Sequence, residues 1–215
     1  MDEPLTDVDV RVLGALIEKE KTTPDYYPLS LNALMNACNQ SSNREPVVHF
    51  GEETVAHGIE SLRKRGLVRA IKRVDSRVTK FQHLVDEKMN LDVPELAVLC
   101  VLMLRGPQTI GELKTRSARL TGSESLTDIE TVLTALLARK EPALVAHLPR
   151  RGGQKEVRYA HLLGNEVTFD APDPATVRVQ ADSERIGALE EAMEELKKEV
   201  SDMRTELEAF RKQFE

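Results

Sequence analysis

Eight of the side chains between residues 61 and 80 are Lys or Arg, against a single acid, Asp75. Cations on a β-hairpin can contact the phosphates of a nucleic acid and release its counterions. A second, smaller basic group occupies the equivalent place in the C-terminal half. The side chains predicted to contact nucleic acid are Arg69, Lys72, Arg73, Arg77 and Lys80 in the first group and Arg150, Arg151 and Lys155 in the second. The alternative is a charged hairpin that is exposed to solvent and binds nothing.

Residue types that serve in catalysis and metal binding are also present, but their arrangement favours neither. The candidates for a thiol nucleophile or a metal site are Cys38 together with His49 or His57. No orienting acid or metal-ligand spacing accompanies them, and Cys38 falls on the apolar face of a predicted helix. A Gly-rich phosphate loop and the HExxH, GxSxG and CxxC motifs are absent. We therefore expect a protein that is not an enzyme, with no catalytic residue, metal or cofactor.

A long polar segment, residues 39–50, connects two predicted helices where a helix-turn-helix motif has a turn of about 3 to 4 residues. Its hydrogen-bonding side chains predict a site for a partner or a small ligand at Asn43, Arg44 and Glu45. The alternative is a loop that satisfies its own polar groups and holds the first two helices together.

A repeated unit must position these groups. Lys80-Phe81-Gln82-His83-Leu84 matches Arg158-Tyr159-Ala160-His161-Leu162 at an offset of 78. In each copy, two helices and a third amphipathic helix precede two short strands. In the first copy the predicted helices cover 7–19, 29–39 and a segment that contains Val55, Ile59 and Leu62, and the predicted strands are 67–72 and 78–85. In the second copy the predicted helices cover 92–104, 109–117 and a segment that begins with a capping box at Thr127, and the predicted strands are 144–148 and 156–162. His83 and His161, at equivalent positions, are expected to be structural.

Three helices followed by a hairpin are typical of the winged-helix fold. The predicted architecture is therefore mainly α with small β-hairpins (α+β), with two tandem winged-helix domains at residues 5–90 and 91–163. In a sequence-specific complex the third helix would enter the major groove. Its first turn is acidic in both copies, with Glu52 and Glu53 in one and Asp128 and Glu130 in the other. Backbone contact by the basic hairpins is therefore favoured over base-specific contact.

The last part of the chain carries an apolar heptad repeat, with alternating spacings of three and four residues from Ile186 to Phe214. It predicts a coiled-coil helix over 184–215, preceded by a linker over 164–183. The predicted dimer contacts are Ile186, Leu189, Met193, Leu196, Val200, Met203, Leu207, Phe210 and Phe214. Three of the four g-to-e′ pairs of a parallel homodimer carry opposite charges and none is repulsive. The alternative is a single amphipathic helix that packs on its own chain.

The distribution of charge agrees with this division. The chain has 215 residues and a net charge of −6, which by itself argues against a non-specific nucleic-acid-binding protein. Residues 181–215 hold 6 basic and 11 acidic side chains, so most of the net negative charge of the chain belongs to the predicted coiled coil. The longest apolar run, residues 96–104, is about half of a membrane span, and no apolar run follows the acidic N-terminus. We expect a cytoplasmic protein.

Short motifs in both copies carry a family resemblance. They are Glu18-Lys19, Thr22-Thr23-Pro24, Tyr27-Pro28-Leu29-Ser30, Asn32-Ala33, Ala37-Cys38-Asn39-Gln40, Asn43-Arg44-Glu45-Pro46-Val47, Arg77-Val78-Thr79-Lys80-Phe81, Leu104-Arg105-Gly106, Gln108-Thr109, Gly111-Glu112-Leu113, Arg158-Tyr159 and His161-Leu162. Over about residues 5–167 the chain resembles the YceH-like family of uncharacterised bacterial proteins. The resemblance implies two winged-helix domains in tandem, and it implies no activity, substrate or catalytic residue.

Two functions are compatible with these patterns. The leading hypothesis is a non-enzymatic, homodimeric winged-helix protein that associates with duplex DNA, mainly through its backbone, or acts as a regulatory factor. The alternative is a scaffold for protein–protein interaction that uses the winged-helix surfaces and the polar loop 39–50, since a fold does not determine a function.

Overall fold

The computed structural model describes residues 3–72, 78–122, 129–139, 143–149 and 156–164, all within one compact unit of the chain, residues 1–169. These residues form seven α-helices and two three-stranded antiparallel sheets. The expected mixed α+β architecture is thus confirmed. The predicted coiled coil over 184–215 and, apart from Gly164, the predicted linker lie outside the described residues.

The first half runs from α1 to β3. Its elements are α1 (Asp7–Thr22), a short 3-10 turn (Pro24–Tyr26), β1 (Leu29–Ser30), α2 (Leu31–Cys38), α3 (Glu52–Lys64), β2 (Val68–Ile71) and β3 (Lys80–His83). The sheet order is β1-β3-β2, so β3 is the central strand.

The second half repeats this order after a short helix. Its elements are α4 (Val85–Met89), α5 (Val93–Arg105), β4 (Gln108–Thr109), α6 (Ile110–Thr121), α7 (Ile129–Ala138), β5 (Val145–Leu148) and β6 (Arg158–His161), with sheet order β4-β6-β5. Phe81 pairs with Leu29, and Tyr159, at the repeat offset of 78, pairs with Gln108. The sequence repeat therefore corresponds to two copies of one arrangement of elements.

Several boundaries differ from the sequence prediction. Leu29 and Ser30, expected to start a helix, form a strand instead, and the Ser30 side chain caps α2 by accepting a hydrogen bond from the Ala33 amide. The two short strands β1 and β4 and the helix α4 are not apparent from hydrophobic periodicity, because each spans at most five residues. Helices α1 and α6 continue to Thr22 and Thr121, beyond their predicted ends at residues 19 and 117.

Capping boxes begin three of the helices in the described part of the chain. A box of Thr109 and Glu112 stands at the start of α6, where each side chain accepts a hydrogen bond from the other residue's backbone amide. Thr6 begins α1 and Asp92 begins α5 in the same way. Each box satisfies two amides that have no partner inside the helix. The predicted box at Thr127 lies outside the described residues.

Helices α1 and α5 join the two halves in one hydrophobic core. Helix α5 is buried from Glu95 to Leu104, as expected for a helix that is apolar on all sides. Gly14 of α1 allows close approach, because a Cβ atom there would lie 2.9 Å from Cδ2 of Leu104. The N-terminal segment also contacts the second half, since the Leu5 amide donates to the Leu163 carbonyl at 2.8 Å.

Candidate functional site

The basic hairpin of the first half is built by β2 and β3. Arg69 on β2 and Lys72 just after it are exposed, and Lys80 on β3 is half-buried. Arg69 pairs with Gln82 in the strand register, and the two side chains come within hydrogen-bond distance. The remaining predicted nucleic-acid contacts, Arg73, Arg77, Arg150, Arg151 and Lys155, lie outside the described residues.

Helix α3 lies on the same half and exposes a face of mixed charge. Glu52 and Glu53 are exposed in its first turn, and Arg63 and Lys64 are exposed in its last turn. Arg63 is paired with Glu60 at 2.6 Å. Carboxylates in the first turn suit the positive end of a helix dipole, but they repel nucleic-acid phosphates.

The cysteine considered as a nucleophile is poorly suited to the role. Cys38 is buried, and burial raises the pKa of its thiol to about 12, so the reactive thiolate is scarce at neutral pH. Burial also raises the pKa of Cys100. His49 and His57 are both exposed, and His57 Nδ1 lies 3.3 Å from the Glu53 carbonyl. No group of three or more metal-ligating side chains occurs in the described part of the chain.

The polar loop 39–50 is folded back on its own half. Asn39 and Phe50 close it with two hydrogen bonds of 2.8 Å between the Asn39 side chain and the Phe50 backbone. Arg44 is buried and donates to Glu18 Oε2 at 2.6 Å and to the Ala37 carbonyl at 2.8 Å. A loop of this kind agrees with the self-satisfied alternative, and a partner site at Asn43, Arg44 and Glu45 stays a prediction.

The loop also reaches the second half, where it meets three arginines. The Glu45 amide donates to the Leu104 carbonyl at 2.8 Å, and Arg105 donates to the side-chain oxygen of Asn43. A small pocket, partly open to solvent, lies at this place. It is lined by Asn43, Arg105, Arg116 and Arg119 together with the less polar side chains Cys100, Val101, Leu104 and Leu120.

Each of two carboxylates beside this pocket is shared by two arginines. Glu18 binds Arg44 through one oxygen and Arg119 through the other. Burial alone would raise the pKa of Glu18, but its hydrogen bond with Arg44 and the nearby positive charges lower it.

Glu112 is shared in the same way. It lies 3.4 Å from Arg116 and 3.2 Å from Arg158. Burial and the charges of Arg116 and Arg119 lower the pKa of Arg105, against the smaller opposite effect of the carboxylates of Glu45 and Glu18. Around the pocket, the five guanidinium groups of Arg44, Arg105, Arg116, Arg119 and Arg158 therefore outnumber the three carboxylates of Glu18, Glu45 and Glu112.

The two repeat-equivalent histidines differ in their surroundings. Nε2 of His83 lies 3.2 Å from Glu20, and its Nδ1 accepts a hydrogen bond from the Val85 amide at 3.3 Å. The hydrogen bond between the His83 side chain and the Glu20 carboxylate is the main cause that lowers the pKa of Glu20 to about 2. Nδ1 of His161 is buried with no hydrogen-bond partner among the described residues, and burial lowers the pKa of His161 to about 4.

The sequence predicts a site at Asn43, Arg44 and Glu45 but does not indicate the side chains that surround them. Arg105 and Arg119 belong to the second half, and they reach Asn43 and Glu18 only because α5 and α6 pack beside α1. Glu18 alone is indicated by its local surroundings. It is a charged residue on a helix whose neighbouring residues are buried, and a buried charge requires a partner of opposite charge.

Comparison with known proteins defines the family. Residues 5–154 match the family model described as "Protein of unknown function, DUF480". The chain is 49% identical over 223 residues to a UPF0502 protein of Pelobacter propionicus and 51% identical over 220 residues to one of Geotalea daltonii, and both alignments span the whole of each chain. A UPF0502 protein of Opitutus terrae is 52% identical over 177 residues, which cover 81% of this chain and 77% of the relative.

The chain therefore belongs to the DUF480/UPF0502 family of uncharacterised bacterial proteins. Across the described residues, none of the helices has the length and apolar character needed to cross a membrane.

Proposed function

We propose that the protein is a non-enzymatic tandem winged-helix protein of the cytoplasm, within the YceH-like group, that associates with duplex nucleic acid through its basic hairpins. The order of elements supports the fold. In each half a helix, a short strand, two further helices and two antiparallel strands follow one another, and the short strand pairs with the last strand. This order agrees with the order of elements expected for a helix-turn-helix with an added hairpin.

The exposed cations of the β2–β3 hairpin carry the functional proposal. Arg69 and Lys72 are both exposed, and neither is bound to a carboxylate of the described residues within 4.0 Å. Charges of this kind can exchange water and counterions for phosphates at little cost. The acidic first turn of α3 favours contact with the backbone over contact with base edges.

A salt titration of the full chain against random duplex DNA tests the proposal. We expect salt-dependent binding, with a slope of log affinity against log salt that loses about 0.9 for each phosphate contact removed. Arg69→Gln combined with Lys72→Gln is expected to lower both the affinity and this slope. Absence of binding at about 50 mM salt would overturn the proposal.

A matched control uses two exposed lysines of the helices. Lys88 on α4 and Lys114 on α6 are exposed, and their combined change to Gln removes the same charge as the hairpin variant. The control is expected to keep the wild-type slope of log affinity against log salt, because Lys88 and Lys114 lie outside the hairpin and no proposed phosphate contact is lost. Equal losses in both variants would show that net charge alone governs binding.

A second candidate function is a scaffold for protein partners. It is favoured by Tyr26, which is 77% exposed on the short turn after α1, and by the acids Glu52 and Glu53 on the exposed face of α3. A large exposed aromatic side chain is typical of protein contacts. A pull-down from a cell extract that recovers no stoichiometric partner, together with salt-dependent DNA binding, would count against this function.

A further inference from the structure

We propose that the pocket between the loop 39–50 and helices α5 and α6 binds a doubly charged oxyanion, either inorganic phosphate or the phosphoryl group of a small phosphate ester. The site is separate from the basic hairpins, and the inference does not depend on nucleic-acid binding. Three guanidinium groups and one side-chain amide line it, those of Arg105, Arg116, Arg119 and Asn43.

The charge around the pocket is not balanced. Glu18 is shared by Arg44 and Arg119, and Glu112 is shared by Arg116 and Arg158. Within the described residues, no carboxylate lies within ion-pair distance of Arg105, which binds the neutral amide of Asn43. Guanidinium groups held close together repel one another, and a bound anion relieves that repulsion.

The arginines are held in place before any ligand arrives. Arg116 donates to the side-chain oxygen of Gln108, which is buried and is itself fixed by a hydrogen bond of 3.1 Å to the Arg105 carbonyl. Arg119 is held by Glu18, and Arg105 by Asn43. A guanidinium group has five N–H donors, so these contacts leave donors for a ligand. Side chains fixed in this way lose little further entropy on binding.

The shape of the pocket favours a small ligand over a polymer. Its walls include the apolar side chains of Val101, Leu104 and Leu120, and of the three arginines only Arg119 is exposed while Arg105 and Arg116 are half-exposed. Arginine forks match the geometry of phosphate oxygens, and a group with two charges gains more from three cations than a carboxylate does.

Titration of the full chain with inorganic phosphate, with a phosphomonoester and with acetate, at constant ionic strength, tests the inference. Calorimetry should detect phosphate or the ester binding at least about tenfold more tightly than acetate. Tighter binding of the ester would assign a small phosphorylated molecule, and tighter binding of phosphate would assign the free ion. Equal binding of acetate, or no binding of any of the three, would overturn the inference.

Two variants and a control locate the site. Arg116→Gln removes one guanidinium and is expected to weaken phosphate binding about tenfold. Asn43→Asp places a carboxylate against Arg105, so it should weaken phosphate binding to a similar degree while leaving thermal stability unchanged or raised. Lys114→Gln removes an exposed charge from the same helix as Arg116 and should bind phosphate as the wild type does.

The Asn43→Asp variant separates this inference from a folding defect and from the hairpin site. Reduced binding with intact stability supports the pocket, and undiminished phosphate binding would overturn it. If duplex DNA displaces the phosphate and Asn43→Asp weakens DNA binding equally, the pocket belongs to a nucleic-acid surface and the small-ligand inference is wrong.

Discussion

Nη2 of Arg44 lies 2.6 Å from Oε2 of Glu18, and both side chains are almost wholly buried, with 0% and 3% of their surface exposed. The pair joins the middle of the loop 39–50 to helix α1. Two buried charges are stable together only when their remaining hydrogen-bonding groups are satisfied. Here the Ala37 carbonyl accepts from Arg44, and Arg119 binds the second oxygen of Glu18.

Removal of Arg44 should therefore be costly. We expect Arg44→Ala to lower the free energy of unfolding by about 3 kcal/mol, because it leaves Glu18 buried with one cation fewer. Arg63→Ala is the control, since Arg63 makes an ion pair of the same 2.6 Å length with Glu60 on an exposed surface. Its loss should be below about 1 kcal/mol. Denaturant unfolding measures both, and equal losses would contradict the role assigned to burial.

The sequence predicts the architecture better than the site. Phe81 and Tyr159 occupy equivalent places, and the sequence predicts this because residues 80–84 match residues 158–162. Local patterns of apolar residues also locate most of the helices. Apart from the charged residue Glu18 among buried neighbours on α1, the contacts around the pocket have no such local signal. Arg119 and Glu18 are 101 residues apart, and Arg105 and Asn43 are 62 residues apart. They meet only through the packing of α1 against α5 and α6, which hydrophobic periodicity does not specify.

The close approach of α1 and α5 can be tested at Gly14. A Cβ atom at this position would lie 3.0 Å from Cγ of Leu104 and 3.2 Å from Cβ of Met103. We expect Gly14→Ala to lower the free energy of unfolding by about 1–3 kcal/mol, since the helices must move apart. A Cβ atom added at Gly111 on α6 would meet no other atom within 4 Å, so Gly111→Ala should raise the free energy of unfolding by about 0.5 kcal/mol. Destabilisation by both changes would show that helix packing is not the cause.

We expect the buried His161 side chain to lower the free energy of unfolding in mild acid. Its pKa is about 4 in the folded chain, below the ordinary 6.5, so between these values the unfolded chain binds a proton that the folded chain does not. The free energy of unfolding should therefore fall as the pH drops from 6.5 to 4, by up to about 1.4 kcal/mol for each pH unit. Chemical denaturation over this range should show a smaller decline for His161→Gln. Parallel profiles for the two proteins would refute the assignment.

The predicted coiled coil gives the last test, made on the full chain. Leu196 occupies a d position of the heptads, where a carboxylate would be buried between two helices, and Ala209 occupies an outward position. Because a buried, unpaired charge costs several kcal/mol, Leu196→Glu should convert a dimer into a monomer. Ala209→Glu adds the same charge and should leave the dimer intact. Light scattering with size-exclusion chromatography measures the mass, and a monomeric wild type or a dimeric Leu196→Glu variant would contradict the heptad prediction.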